Sequence, residues 1–370
     1  MPELADIFRT YGPAYRAKFG NKILPQHLRV MRAIERCRTP ALGGHVYTCP
    51  DCGETLYHYH SCRNRHCPKC QHANAQRWLK EQYELQLPVP YFMLTFTLPS
   101  PLRAFARSHQ QLVYDALFRA SAEAAQRLAR DPRFVGGTLG LVGVLHTWAR
   151  DLSYHPHVHY LVPAGGLAED GHTWLPARKN FLLPVKALSK LVRAKLRDAL
   201  SQADGFVDIP TEVWQQDWVV HCKPVGDGRT ALKHLAPYIF RVALSNRRIV
   251  KVEHDQVTFR YKTNSGQTRF CTLPAEKFIP RFLQHVLPRS FVKVRYYGLF
   301  SPAHRHRLEP LRAQLAASST RVPTPTTATD ATASDTSQPS TTAARSVRCP
   351  ACGHVMQHTA TLAPLGRDPP

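Results

Sequence analysis

The sequence predicts an α+β fold, a largely antiparallel sheet with helices, preceded by a small metal-stabilised module. Three observations carry that prediction. Runs of alternating apolar, aromatic and β-branched residues recur along the middle of the chain without the regular alternation of strand and helix that βαβ units need. Six of the ten cysteines lie between Cys37 and Cys70 and include two CxxC pairs. Residues 316–346 are dominated by Ser, Thr, Pro and Ala, have little to bury and read as a flexible linker.

Taken in order, residues 1–30 read as an amino-terminal helical arm, and "PQHLRVMRAIERC" mixes apolar and basic residues as a support or a DNA-facing surface would. Residues 31–80 form the cysteine and histidine module, left by a helix over "ANAQRWLKEQYELQL". A larger domain spans 88–300. "VPYFMLTFTLP" (Val89 to Pro99) is its first strand, and "QQLVYDALFRASAEAAQRLAR" is a helix on which Leu112, Ala116 and Ala120 share a side. "FVGGTLGLVGVLHTW" leads into a second strand, and "HPHVHYLVPAGG" supplies a third that ends at a glycine turn. "PVKALSKLVRAKLRDAL" places Leu188, Leu191, Val192 and Leu196 on one helical face, and strands follow in "DWVVHCKPV", "RRIVKVEHDQVTFRYK" and "RSFVKVRYYGLF". A short Cys-pair tail, 347–370, ends the chain.

The 370 residues carry 49 Lys and Arg against 26 acidic residues, a formal charge of +23. Such a balance attracts phosphate backbones, so nucleic acid is the expected partner. No segment has the apolar length to span a bilayer, and "MPELADIFRTYG" lacks the basic-then-apolar order of a signal peptide. The expected location is the cytoplasm, on the nucleoid. No membrane partner is expected.

Cysteines spaced in this way favour thiolate ligands over disulfides. "CPDC" (Cys49, Cys52) and "CPKC" (Cys67, Cys70) can wrap four thiolates around one tetrahedral Zn²⁺. Cys37, His45 and Cys62, completed by His60 or His66, are the expected second set. Arg36, Arg38, Arg63 and Arg65 would place guanidinium forks for DNA phosphates on that surface. Cys349 and Cys352 make half a site, to be completed by His354, by His358, or by another domain or chain.

In "DLSYHPHVHYLV", period-two alternation turns His157 and His159 to one side of a strand while Val158 packs on the other. Pro156 complicates His155, and His146 on the preceding strand is the expected third ligand. Neutral imidazoles hold a divalent ion without cancelling its charge, so Mg²⁺ or Mn²⁺ could polarise a phosphodiester. A tyrosine partner would retain the cut end as a phosphotyrosine. "TALKHLAPYIFRVALSN" offers Tyr238, with His234 one turn earlier and with Lys233 and Arg241 placed for phosphate.

The combination of "RCRTPALGGHVYTCPDCG…YHSCRNRHCPKCQ", "HPHVHYLVPAGG", "YIFRVALSNRRI" and "FIPRFLQHVLPRSFVKVRYYGLF" resembles the IS91-type transposases, from Pro25 to Phe300 and in the family's order. The resemblance implies an amino-terminal zinc-binding domain and a catalytic domain with the HUH-endonuclease-like antiparallel sheet. It implies a rolling-circle transposase that nicks single-stranded DNA at element ends, joins the 5′ phosphate through tyrosine and leaves a 3′ hydroxyl. His157 and His159 match the family's paired histidines. His146 corresponds to the upstream histidine of the wider relatives, and Tyr238 matches the second catalytic tyrosine. The family commonly carries two tyrosines separated by three residues, whereas this chain has His234 at the first position. Tyr238 is therefore expected to act alone or with the Tyr238 of a second copy in a homodimer. The alternatives are a non-catalytic zinc-containing DNA-binding regulator and a plasmid replication initiator or relaxase.

Overall fold

A computed structural model describes residues 2–233, 243–263, 265–319 and 346–365. Tyr238, His234 and Arg241 lie outside the described residues. In chain order the helices are α1 (Leu4–Phe19), α2 (Pro25–Arg36), α3 (Gln71–Leu85), α4 (Leu102–Ser108), α5 (Gln110–Ala129), α6 (Val185–Leu200), α7 (Ala275–Leu283) and α8 (Leu308–Ser319). The strands are β1 (Gly44–Thr48), β2 (Thr55–Tyr59), β3 (Pro90–Thr97), β4 (Gly140–Trp148), β5 (Tyr154–Pro163), β6 (Gly165–Leu167), β7 (Trp174–Pro176), β8 (Val220–Asp227), β9 (Ile249–Glu253), β10 (Gln256–Lys262), β11 (Thr268–Pro274), β12 (Val294–Gly298) and β13 (Gln357–Leu362). The chain divides into a larger unit, Met1–Glu35 with Arg63–Ala316, and a smaller one, Arg36–Cys62 with Ala317–Pro370.

The larger unit is built on a five-stranded antiparallel sheet in the order β12-β4-β5-β3-β8. Alternation along each strand sorts its residues between two faces. Phe92, Leu94 and Phe96 of β3, Leu141 and Leu145 of β4, and Val158, Tyr160 and Val162 of β5 share a buried cluster with Leu117 and Phe118 of α5 and Leu188 and Val192 of α6. On the opposite face Tyr91, Val142, Val144 and Leu161 pack with Trp78 of α3, Leu232, Phe300 and Leu311. Burial of aromatic and aliphatic side chains at roughly 25 cal/mol per Å² makes these two layers the source of the unit's stability.

The inner stripe of α5 differs from its expected course. Leu112 is 38% exposed, while Val113, Ala116, Leu117, Ala120 and Ala124 are buried. A helix turns about 100° per residue, so a stripe anchored on Val113 and Leu117 carries Leu112 to its edge. The amino-terminal helices pack into the larger unit. Leu4, Ile7 and Phe8 of α1 are buried, and the Phe8 ring meets Phe282 of α7 edge to face at 5.6 Å. Beside α7, β9, β10 and β11 form a second antiparallel sheet whose Phe259 packs on Phe278.

The smaller unit is a three-stranded antiparallel sheet in the order β13-β1-β2. The segment expected to form a separate 347–370 tail thus supplies an edge strand to β1. Its core is small: Cys49, Cys349 and Met356, flanked by Tyr47, Leu56 and Val347.

Gly143 marks a tightly packed point in the main sheet. A Cβ there would sit 2.5 Å from Cε1 of Tyr160 and 3.1 Å from Cε1 of Phe118. Tyr160 cannot yield, because its hydroxyl donates to the Phe118 carbonyl at 3.0 Å and pairs with Ser121 Oγ at 2.8 Å. Gly143→Ala is expected to lower stability by about 1–3 kcal/mol, the usual cost of overpacking a core; an unchanged urea midpoint would contradict it.

His285 is buried in its neutral form, with Nε2–H donating to the Leu152 carbonyl at 3.1 Å and Nδ1 accepting from the Thr147 hydroxyl at 3.2 Å. Burial pushes its pKa down to about 4. An unfolded histidine takes its proton near 6.5, so as pH falls the unfolded state gains protons first. Stability from this group is complete above about 6.5 and is lost as pH falls to about 4. Urea melts across that range should show a shallower acid limb for His285→Gln than for the wild type.

Candidate active site and metal-binding residues

The register of β4 against β5 sets His146 opposite His157 and Val144 opposite His159. Directly opposed residues share a face, so three imidazoles meet where the apolar layer of Val142, Val144 and Leu161 ends. One ring nitrogen from each of His146, His157 and His159 lies within 4.8 Å of the other two. The ring centroids are 4.8 to 5.2 Å apart.

Hydrogen bonds orient two of the rings. His157 Nδ1–H donates to the His155 carbonyl at 2.6 Å, which leaves the Nε2 lone pair free to hold a cation. His159 Nδ1 pairs with Thr95 Oγ1 of β3 at 2.8 Å, and donation to that hydroxyl again frees Nε2. Such outer partners fix tautomer and ring orientation in metal sites. Burial, reinforced by neighbouring histidines, holds His157 at about 3, His159 at about 4 and His146 well below the ordinary imidazole value. All three are therefore neutral near pH 7 and carry a lone pair for a cation. Three nitrogens also leave coordination positions for oxygen ligands, the opening that a Lewis-acid site needs.

His155 has a different place. Its Nδ1 accepts from the Arg103 guanidinium at 2.7 Å, and it contributes to the histidine group through its backbone carbonyl. Three neighbours were not singled out from the sequence. Thr95 orients His159, and His221 of β8 lies opposite Thr95 in the sheet. Lys293, next to the start of β12, places Nζ 4.7 Å from the Trp148 ring centroid, and that ring stacks on His146 with centroids 5.4 Å apart. Burial, then the Arg65 charge, lowers the Lys293 pKa to about 7. The segments "MLTFT" and "SFVKV" carry strand signals only, and nothing in them marks Thr95 or Lys293.

The cysteines divide differently from the expected grouping. Cys49 and Cys52 stand with Cys349 and Cys352, so the CPDC and CPKC pairs do not share one four-thiolate set. The reason is pairing in the sheet: β13 brings the carboxy-terminal pair to β1 and its knuckle. In the larger unit Cys67 and Cys70 form a turn, with Cys70 N–H donating to the Cys67 carbonyl at 3.2 Å at the start of α3. Cys37 and Cys62 lie at the two borders of the first segment of the smaller unit. His45 and His66, expected among the zinc ligands, belong to no donor group among the described residues. The half-buried His45 ring faces His358, 3.2 Å from Nδ1 to Nε2, and His60. His66 is buried, and its Nε2 accepts the Leu287 N–H at 3.4 Å.

Among the expected phosphate contacts, Arg63 is exposed in the left-handed region at φ 52, and Lys233 is exposed on the helical turn 228–233. Arg65 is committed elsewhere: its two terminal nitrogens donate to the Phe291 and Pro288 carbonyls, each at 2.6 Å. That fork holds the turn before β12 and is not available to a phosphate.

Residues 140–307, which include all three histidines, match the family model described as "Putative transposase". Residues 7–98 match the model described as "Transposase zinc-binding domain". A protein of Sinorhizobium fredii that carries the first of these descriptions is 40% identical over 327 residues, 83% of this chain and 82% of its own length. The chain belongs to the IS91-type transposases. The transposase for insertion sequence element IS801 of Pseudomonas savastanoi pv. phaseolicola is 29% identical over 288 residues, 72% of this IS91-type chain and 68% of its own length. No solved structure matches. The zinc-binding match of this transposase covers Cys37 to Cys70 and stops well before Cys349. No helix among its described residues is long and apolar enough to cross a membrane.

Mn²⁺ binding, followed by electron paramagnetic resonance on the zinc-loaded protein, probes the histidine group. His157→Ala should abolish binding, and Thr95→Val should weaken it about 10- to 100-fold, as loss of an outer hydrogen bond does. Equal affinity in Thr95→Val and wild type would remove Thr95 from the site.

Proposed function

We propose that this transposase nicks single-stranded DNA at the ends of its element by attack of Tyr238 on a phosphodiester, and that His146, His157 and His159 hold a Mg²⁺ or Mn²⁺ ion for that step. The reading rests on the convergence of three neutral imidazoles at one end of the sheet, in a chain of this family. The tyrosine oxygen forms a bond to phosphorus, the bond to the 3′ oxygen breaks, and the proton lost by the phenol is balanced by the proton gained at the 3′ hydroxyl. A 5′-phosphotyrosine retains the bond energy for joining to a target, which is what rolling-circle transposition requires. A bound divalent ion supplies Lewis-acid stabilisation of charge on the non-bridging oxygens.

The chain's own residues then have distinct parts. His157 and His159, fixed by the His155 carbonyl and Thr95, present nitrogen without adding charge. Lys233, five residues before Tyr238 in the sequence, meets phosphate beside the nucleophile. The +23 charge draws the strand in regardless of sequence. With His234 where the family has its first tyrosine, Tyr238 acts alone or with the Tyr238 of a second copy. The protein works in the cytoplasm, on nucleoid DNA.

Labelled single-stranded element ends incubated with Mn²⁺ test this in denaturing gels. The wild type should yield a nicked strand and a protein–DNA adduct. Tyr238→Phe should yield neither, and His157→Ala should reduce nicking about 100-fold or more while still binding DNA. An adduct formed by Tyr238→Phe would sink the assignment, and DNA binding without nicking by the wild type would favour a non-catalytic regulator.

A further inference from the structure

Residues 49–54 and 349–354 build the same local structure. Cys49 N–H donates to the Glu54 carbonyl at 2.9 Å and Gly53 N–H to the Cys49 carbonyl at 3.0 Å; Cys349 N–H donates to His354 at 2.8 Å and Gly353 N–H to Cys349 at 2.9 Å. Gly53 and Gly353 both take the left-handed conformation, at φ 74 and 80, that ends such a turn. Each turn, "CPDCG" or "CPACG", presents its two thiols together.

The two turns face each other. Cys49 Sγ is 3.4 Å from Cys352 Sγ, Cys52 Sγ is 3.5 Å from Cys349 Sγ, and all four sulfurs lie within 4.8 Å of one another. These separations are far above the ~2.05 Å of a disulfide. They bracket the ~3.8 Å edge of a tetrahedron with Zn–S bonds of ~2.3 Å. Among the other candidate donors, the exposed pair His354 and Asp51, 3.6 Å apart, group with Cys352 but not with all four cysteines, and His358 faces His45.

Local energetics also call for an ion. The apolar core of this unit is Cys49, Cys349 and Met356 with three partly buried neighbours, too little to hold a three-stranded sheet by burial alone. From the two matching knuckles and the four facing sulfurs, we infer that Cys49, Cys52, Cys349 and Cys352 hold one structural Zn²⁺. The carboxy-terminal CPAC pair, outside both family-matched regions, thereby completes an amino-terminal zinc ribbon. This site stands independently of the proposed nicking chemistry.

Metal analysis of the purified full chain by mass spectrometry decides it. Cys349→Ser/Cys352→Ser and Cys49→Ser/Cys52→Ser should each lose one equivalent of zinc relative to wild type, and the four-cysteine variant should lose that same single equivalent. Undiminished zinc in the Cys349→Ser/Cys352→Ser protein, a larger loss in the four-cysteine variant, or iron in place of zinc would overturn the inference. A second measurement guards against misfolded variants. With a protease site placed within residues 320–345, the cleaved tail should co-elute with the remainder and separate when a chelator strips the zinc. A tail that separates while zinc content is unchanged, or stays after all zinc is gone, would equally overturn it.

Discussion

Everything at the proposed catalytic centre depends on the register between β4 and β5. With His146 opposite His157, three imidazoles share one face. A slip of one residue would turn His157 and His159 into the layer filled by α5 and α6 and would bring Val158 and Tyr160 to the site. The core prevents the slip. Tyr160 lies across the open backbone of Gly143, and its hydroxyl is tied to Phe118 and Ser121 of α5. The third strand adds its own constraint, because Thr95 faces His159 in the β3 register and bonds to its ring. Positions of donor atoms are thus inherited from buried aromatic packing, and an overpacked core would reach the site through the sheet.

Charge works at two ranges in this molecule. The +23 excess acts over about a Debye length, roughly 10 Å at ordinary salt, and attracts any phosphate backbone without selecting a bond. The histidine group acts at contact distance and is neutral, since burial holds His157 and His159 far below physiological pH. Neutral donors in a basic protein avoid adding repulsion to an incoming cation. Lys293, buried near Trp148, has its pKa lowered to about 7, so burial weakens the positive charge it brings close to the histidine group. On the proposed function, capture of DNA is therefore separable from catalysis, the first being sensitive to salt and the second to the three rings.

How much of this was legible in the sequence depends on whether a feature is local. Period-two alternation placed His157 and His159 on one side, and the hairpin between β4 and β5 is short enough for His146 to be paired with them by eye. Thr95 and Lys293 were hidden because β3 and the segment leading into β12 come to β5 and β4 from far along the chain, and a lone Thr or Lys there has no signature. Arg65 looked like a phosphate fork because its neighbours are basic; its carbonyl partners lie more than 220 positions away. Leu112 failed for a smaller reason, a helical stripe anchored one residue off.

The observed cysteine grouping is hidden in the sequence because CxxC pairs are alike and nearness along the chain favours joining Cys49 and Cys52 to Cys67 and Cys70. That preference is weak in free-energy terms. Closing a loop costs about 0.6 kcal/mol more for each doubling of its length. Joining Cys52 to Cys349, 297 positions away, in place of a partner some fifteen positions away is about four doublings, roughly 2 to 3 kcal/mol and less where the intervening chain is already folded. A tetrahedral zinc site is worth roughly 10 to 16 kcal/mol. Pairing is therefore decided by which knuckle the strands present, and β13 beside β1 presents Cys349 and Cys352. The IS91-type zinc region of this chain is closed by its last cysteines, and a truncation before Arg348 would remove half the ligands of a site whose other half lies near residue 50.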